Sequence, residues 1–400
     1  MGGDFEHPET SCPRKQSRFP VVPFALVLVS VTMGISSATP EEGAATYFSD
    51  TYQEARLKFI AAAAAAGGSL ERHRNPHQGA EGEALYTDVA MFNLAGAKTI
   101  IVIGSGTHGV EGFAGSAIQV GLLREGITEK LPDDVGLLFY HALNPYGFSH
   151  LRRFNEENID LNRNFRDHAK PHPSNEGYNE LKWIVEPASL SSWENFKAKM
   201  GLAWYRIIKG ARWLQSAISR GQYDHPQGLF FGGNKRSRSN DTLQEIVEGH
   251  LAAAARVILI DVHTGLGEYG AAVVFTEAPP GRPEYEWMMQ CWEIPISNPG
   301  VGDASSPGII GSLKGGFTRM LPNAEVIAGS LEFGTYPPLE VFWALRAENH
   351  LHHHGGWEHP DASEIKEELK RVFYPQQNDW KHSIWQQGSK LVKRTKECLR

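Results

Sequence analysis

Short runs of consecutive apolar residues punctuate the chain, at 99–103, 135–140, 257–262, 271–275 and 326–331. Most are β-branched and apolar throughout rather than alternating, the pattern of strands buried on both faces. Helical periodicity lies between them. Residues 112–123 fit one helix, 191–219 fit one long helix or two, and 241–255 show a capping residue and a periodic apolar face. An earlier helix opens at Ser49-Asp-Thr, runs through an alanine tract and stops at Gly67-Gly68. Amphipathic stretches at 363–372 and 380–396 close the chain. Strands alternating with helices predict an α/β fold, a mostly parallel mixed sheet flanked by helices on both faces. No internal repeat is present.

The first 45 residues read differently from the folded domain expected over 46–400. Arg14, Lys15 and Arg18 precede an apolar stretch from Phe19, and small residues follow at Ser36 and Ala38. This pattern is similar to a secretory signal peptide. An uncleaved anchor is the rival reading, although the stretch is at the short end for a bilayer span and carries Pro20 and Pro23. A misassigned start codon is the third. The first two make the protein secreted or membrane-anchored, and the last leaves it cytoplasmic. Any membrane association is expected only through this segment.

A content of 41% hydrophobic residues can bury a large core, and a net charge of −7 argues against nucleic acid as a partner. The three cysteines, Cys12, Cys291 and Cys398, are widely scattered. They suggest neither a disulfide framework nor a zinc knuckle, and Cys291 is expected in the core. Metal chemistry would therefore draw on the 17 histidines and on carboxylates. There is no G-x-S-x-G elbow, Walker loop or dinucleotide fingerprint.

The candidate chemistry sits where strands end, the place where open α/β sheets bind ligands. After the strand at 99–103 comes Ser105-Gly-Thr-His-Gly-Val-Glu, which sets His108 and Glu111 three residues apart on a glycine-rich turn. An imidazole and a carboxylate so placed can share one zinc ion; His263 would supply a third ligand and leave a position for water. His263 and Asp261 leave the strand at 257–262 on one face, and Asp261 can orient a ligand histidine. In Asn158-Ile-Asp-Leu-Asn-Arg-Asn-Phe, Asn162 and Arg163 offer an amide and a planar fork suited to a substrate carboxylate. Arg153, or its neighbour Arg152, can steady an oxyanion. Glu332 ends the strand at 326–331, where a carboxylate can act as general base. Each feature alone has a plain structural reading: strand-end caps, loop arginines, a surface salt bridge. Their joint occurrence at four strand ends favours one shared crevice.

Together these segments resemble the zinc carboxypeptidase superfamily, and within it a bacterial-type branch catalogued as a domain of unknown function. The likeness runs through Ser105–Gln119, His141-Ala-Leu-Asn-Pro-Tyr-Gly-Phe, Asn158–Phe165 and Asp261-Val-His-Thr-Gly. It implies one zinc ion held by His108, Glu111 and His263. It also implies carboxylate recognition by Asn162 and Arg163, carbonyl polarisation by Arg153 and a general base at Glu332. The expected activity is hydrolysis of an amide or peptide bond beside a free carboxylate, in a small peptide. An N-acyl amino acid amidohydrolase, similar to the aspartoacylase relatives, is the alternative, and a non-catalytic metal-binding protein is the second. The chain departs from compact digestive carboxypeptidases in a longer insertion between Glu111 and His263, expected to roof the cleft. The tyrosine that contacts substrate in that superfamily is not assigned between Tyr269 and Tyr336.

Overall fold

The sheet at the centre of the molecule has eight strands. They are β1 (Ser69–Gln78), β2 (Ala84–Phe92), β3 (Thr99–Gly104), β4 (Val135–His141), β5 (Arg256–Tyr269), β6 (Ala272–Thr276), β7 (Ile296–Ser297) and β8 (Glu325–Gly334). Their order is β1-β2-β4-β3-β5-β8-β6-β7. The four central strands β4, β3, β5 and β8 run parallel, while β1, β2 and β6 join antiparallel to their inner neighbours. The computed structural model describes residues 1–2, 40–299 and 308–400. Ala38–Arg400 form one compact unit.

The helices are α1 (Pro40–Ala45), α2 (Tyr52–Ala65), α3 (Gly112–Arg124), α4 (Pro145–Ser149), α5 (Leu161–Asn164), α6 (Glu176–Val185) and α7 (Ser192–Lys209), followed by α8 (Ala211–Ser219), α9 (Arg238–His250), α10 (Pro283–Cys291), α11 (Leu313–Met320), α12 (Pro338–His353), α13 (Ala362–Phe373) and α14 (Asn378–Glu397). The continuous apolar strands feed two cores, because successive side chains point to opposite faces. Ile101 and Ile103 of β3, with Ile258, Ile260 and Val262 of β5, pack under α2, α3, α10 and α14. Ile100, Val102, Val257 and Leu259 pack on the other face under α5, α9 and α11. The expected fold class is thus the observed one. A third core joins α6–α8 to α12 and α13.

Several expectations are corrected. The sequence pattern did not disclose β1 and β2. β1 is a polar, largely exposed edge strand containing Pro76, and β2 carries a buried acid, Asp88, neutralised by Arg56 at 2.6 Å. Of the two readings of 191–219, the second holds: there are two helices, divided at Gly210, whose φ of +89° suits glycine. α9 starts at Arg238 with Ser237 as its cap and ends at His250, earlier than expected at both ends. The strand bearing His263 does not stop there but continues to Tyr269. Cys291 and Cys398 form a disulfide with Cα atoms 6.0 Å apart, a cross-link that their scattered positions did not suggest. Spacing could not show this pair, because α14 has to dock beside α10 before residues 107 apart in sequence meet. The expected leader or anchor at 19–38 lies outside the described residues. Among the described residues, no helix is long and apolar enough to cross a membrane.

Candidate metal centre and active site

The turn after β3 brings His108 and Glu111 under the sheet's carboxyl edge by close backbone approach. Gly106 sits at φ +67°, and a Cβ on Gly109 would lie 2.0 Å from the carbonyl carbon of Gly147. From β5, His263 projects beside them, paired in register with Glu332 on β8. Three buried side chains converge as a result. His108 Nδ1 lies 2.9 Å from Glu111 Oε1 and 3.2 Å from His263 Nδ1, and His263 Nδ1 lies 3.1 Å from Glu111 Oε2. Among the described residues this is the group with metal-ligand geometry. Bonds of about 2.0–2.1 Å at tetrahedral angles would set donor atoms roughly 3.3 Å apart. The observed edges fall just inside that value, so the residues fit a cation of this kind.

The outer nitrogens make the same point. His263 Nε2 sits 2.6 Å from Asp261 Oδ2, and His108 Nε2 sits 3.0 Å from Asp160 Oδ1. A carboxylate on Nε2 calls for the proton there and leaves Nδ1 its lone pair, a tautomer assigned from the network. His108 Nε2 also lies 2.9 Å from Arg153 Nη2, which that tautomer makes a packing contact rather than a bond. Asp261 is fixed in turn by the hydroxyls of Thr107 at 2.9 Å and Tyr140 at 3.1 Å. Burial alone would raise the Asp160 carboxyl, but Arg163 and Arg153 hold it well below the usual carboxylate range. Burial would lower His263, yet Asp261 and Glu111 carry it up to about 10. Two imidazole nitrogens and a carboxylate oxygen facing one another are the donor set of a cation site.

Arg153 lies along the same wall, its Nη1 2.6 Å from Glu111 Oε1 and its Nε 3.3 Å from Asp160 Oδ2. Its guanidinium stands between the rings of Phe230 and Phe373, 5.6 and 5.9 Å from their centroids. Asn144 caps α4 and donates to the carbonyl of Arg153 at 3.2 Å, which places the arginine. Glu332 accepts from the backbone N–H of Leu266 at 3.1 Å. Burial, then the negative charge of Glu111, raises its carboxyl above the ordinary value. His108, Glu111, His263, Arg153 and Glu332 all line a cavity of about 1030 Å³.

A family described as "Protein of unknown function (DUF2817)" matches residues 48–387. The chain belongs to that family. No curated protein matches it. Among solved structures, the DUF2817 chain is similar to a carboxypeptidase A from Helicoverpa armigera, at 13% identity over 85% of this chain and 73% of that one, with a TM-score of 0.42. It is also similar to a metallo-carboxypeptidase from Burkholderia cenocepacia, at 12% identity over 88% and 70%, TM-score 0.44. A succinylglutamate desuccinylase from Chromobacterium violaceum matches at 14% identity over 80% and 74%, TM-score 0.35.

In this DUF2817 member the seven residues singled out from sequence do not all reach the cavity. His108, Glu111, His263, Arg153, Asn162 and Glu332 line it. The Oδ1 of Asn162 accepts from Leu313 N–H at 2.9 Å, and no hydrogen bond among the described residues engages its amide NH2. Arg163 stands behind the wall instead. Its Nη1 and Nη2 donate to the carbonyls of Asn162 and Ser219, at 3.0 and 2.6 Å, so its fork is turned to main chain. Of the two adjacent arginines, Arg153 lines the cavity and Arg152 does not. Arg152 is sequestered on Glu348 and Asn158, each at 2.8 Å. Neither Tyr269 nor Tyr336 lines the cavity. The sequence reading missed Asp160, although it stands inside the Asn158–Phe165 string, and Lys314. Lys314 is a buried cavity lysine whose Nζ donates to Ser330 Oγ at 2.9 Å, one residue beyond the amide that holds Asn162. Only tertiary packing of α11 on β8 shows that this lysine faces the site.

Proposed function

We propose that the protein is a zinc-dependent hydrolase that cleaves an amide bond next to a free carboxylate. The observation that carries the reading is the convergence of His108 Nδ1, His263 Nδ1 and Glu111 beside Glu332, inside one cavity. A zinc ion held there supplies Lewis acidity to the scissile carbonyl and lowers the pKa of an attacking water. The raised carboxyl of Glu332 takes the proton of that water and delivers it to the departing nitrogen. Its Oε1 is engaged by Leu266 N–H, so the second oxygen does the transfer. Arg153 donates to the oxyanion of the tetrahedral intermediate. The Asn162 amide and the Lys314 ammonium, neighbours through α11, receive the substrate carboxylate, and Arg163 adds positive charge from behind.

A second reading, deacylation of an N-acyl amino acid, is favoured by the wall contributed by α7, α8 and α12, where Leu202, Leu214, Ile218, Val341, Phe342 and Leu345 line the cavity. The test is purified, zinc-loaded protein against matched panels of short peptides and N-acyl amino acids. Turnover of peptides supports the first reading, and turnover confined to acyl amino acids supports the second. No hydrolysis of either, with zinc bound, would refute the hydrolase.

A further inference from the structure

Helix α7 carries its large apolar side chains on the side away from the domain. Trp193, Phe196, Met200, Trp204 and Ile207 recur at the three- and four-residue spacing of one helical face. They are 65, 53, 56, 60 and 80% exposed. Trp183 of α6, 46% exposed, extends the stripe, because its ring lies against Gly201. Only Ala198 and Leu202 of α7 are buried. A stripe this size on a free surface marks an interaction site.

Charge indicates the partner. The stretch Ser192–Ser219 holds five basic residues, Lys197, Lys199, Arg206, Lys209 and Arg212, and one acid, Glu194, in a chain whose net charge is −7. Lys197 pairs with Glu194 at 2.7 Å and Lys209 with Glu180 at 3.6 Å. Lys199 and Arg206, exposed where α7 borders the cavity, and Arg212 of α8 have no carboxylate partner among the described residues. Lys197 also stands 6.0 Å from the Trp193 ring at the start of the stripe. Indole rings beside basic side chains, along a stripe of bulky apolar groups, match a layer that is apolar within and negative at its headgroups.

We propose that the outer face of α7 docks on an anionic lipid surface. The same helix lines the catalytic cavity through Lys199, Leu202, Ala203 and Arg206, so docking sets one wall of that cavity against the membrane. An amphiphile leaving the lipid would then reach His108 and His263 along α7. Docking is read by binding rather than turnover, so it stands or falls independently of the hydrolase reading.

The test is flotation of the full chain with phosphatidylcholine vesicles, with and without phosphatidylglycerol. One variant combines Trp193→Ser, Phe196→Ser, Trp204→Ser and Ile207→Ser; a second combines Lys199→Gln, Arg206→Gln and Arg212→Gln. Residues 1–37 are common to all three proteins, so flotation is compared at a lipid concentration that binds half of the parent, where a tenfold change is readable. The apolar variant should bind at least about tenfold more weakly with an unchanged melting temperature, given the apolar area removed. The charge variant should lose its preference for phosphatidylglycerol. Equal flotation of the apolar variant and the parent overturns the proposal. So does light scattering that shows a parental dimer made monomeric by the apolar variant without loss of vesicle binding, which would make the stripe a subunit interface.

Discussion

Asp160 Oδ1 lies 3.0 Å from Nε2 of His108, on the side of the ring opposite Glu111, as Asp261 Oδ2 lies 2.6 Å from Nε2 of His263. Each carboxylate fixes which ring nitrogen faces the centre. Asp160→Asn should therefore keep the fold but weaken metal affinity on the order of 10–100-fold. His108→Ala should abolish stoichiometric binding. Elemental analysis and chelator competition measure both, and unchanged zinc content in His108→Ala would remove it from the ligand set.

Glu332 is beside the candidate ligands without being one of them. Glu332→Gln should retain zinc and lose turnover on the order of 10²–10⁴-fold or more. Near-normal turnover in that variant would take Glu332 out of the proposed chemistry.

Lys314 and Asn162 meet at the same end of the cavity through the Leu313 N–H bond. Lys314→Met should raise KM about tenfold or more for substrates with a free carboxylate, the loss expected for a charged hydrogen bond. Carboxamide analogues of those substrates should show little change. An equal effect on both would mean that the lysine only supports the wall.

Glu348 is fully buried between Arg152 at 2.8 Å and Lys366 at 2.6 Å. Burial opposes its ionisation, but the two cations hold its carboxyl down at about 2. A pKa lowered on folding means stability present above the ordinary glutamate value and lost as pH falls from there towards 2. Glu348→Gln leaves two cations facing each other and should cost about 3–5 kcal/mol. Its stability should also depend less on pH in that acid window. Denaturant melts across the window test both expectations.

The Cys291–Cys398 bridge predicts a single reactive thiol, Cys12, in unfolded and unreduced protein. Reduction should lower stability by about 2–5 kcal/mol, since the link closes a long loop. Three reactive thiols before reduction would exclude the bridge.

What the chain discloses without a structure follows from how local each signal is. β3, β5 and β8 are legible because a strand buried on both faces has no choice but to be apolar. The candidate ligand pair His108 and Glu111 is legible because both stand in one turn. β1 is illegible because an edge strand can be polar, and Asp88 hides β2 because its partner Arg56 lies on another element. Lys314 reads as an ordinary helix lysine until α11 is seated beside β8. Arg163 shows the converse. Its type and neighbours suit a carboxylate, but the carbonyls of Asn162 and Ser219 claim the guanidinium.

The candidate ligands and Glu332 hang from β3, β5 and β8, whereas much of the remaining cavity lining comes from α7, α8 and α12. That division gives mutation two independent territories. Drift in the helices can rewrite which molecules are accepted while the proposed bond-breaking apparatus stays intact, so diversification within the family should concentrate there.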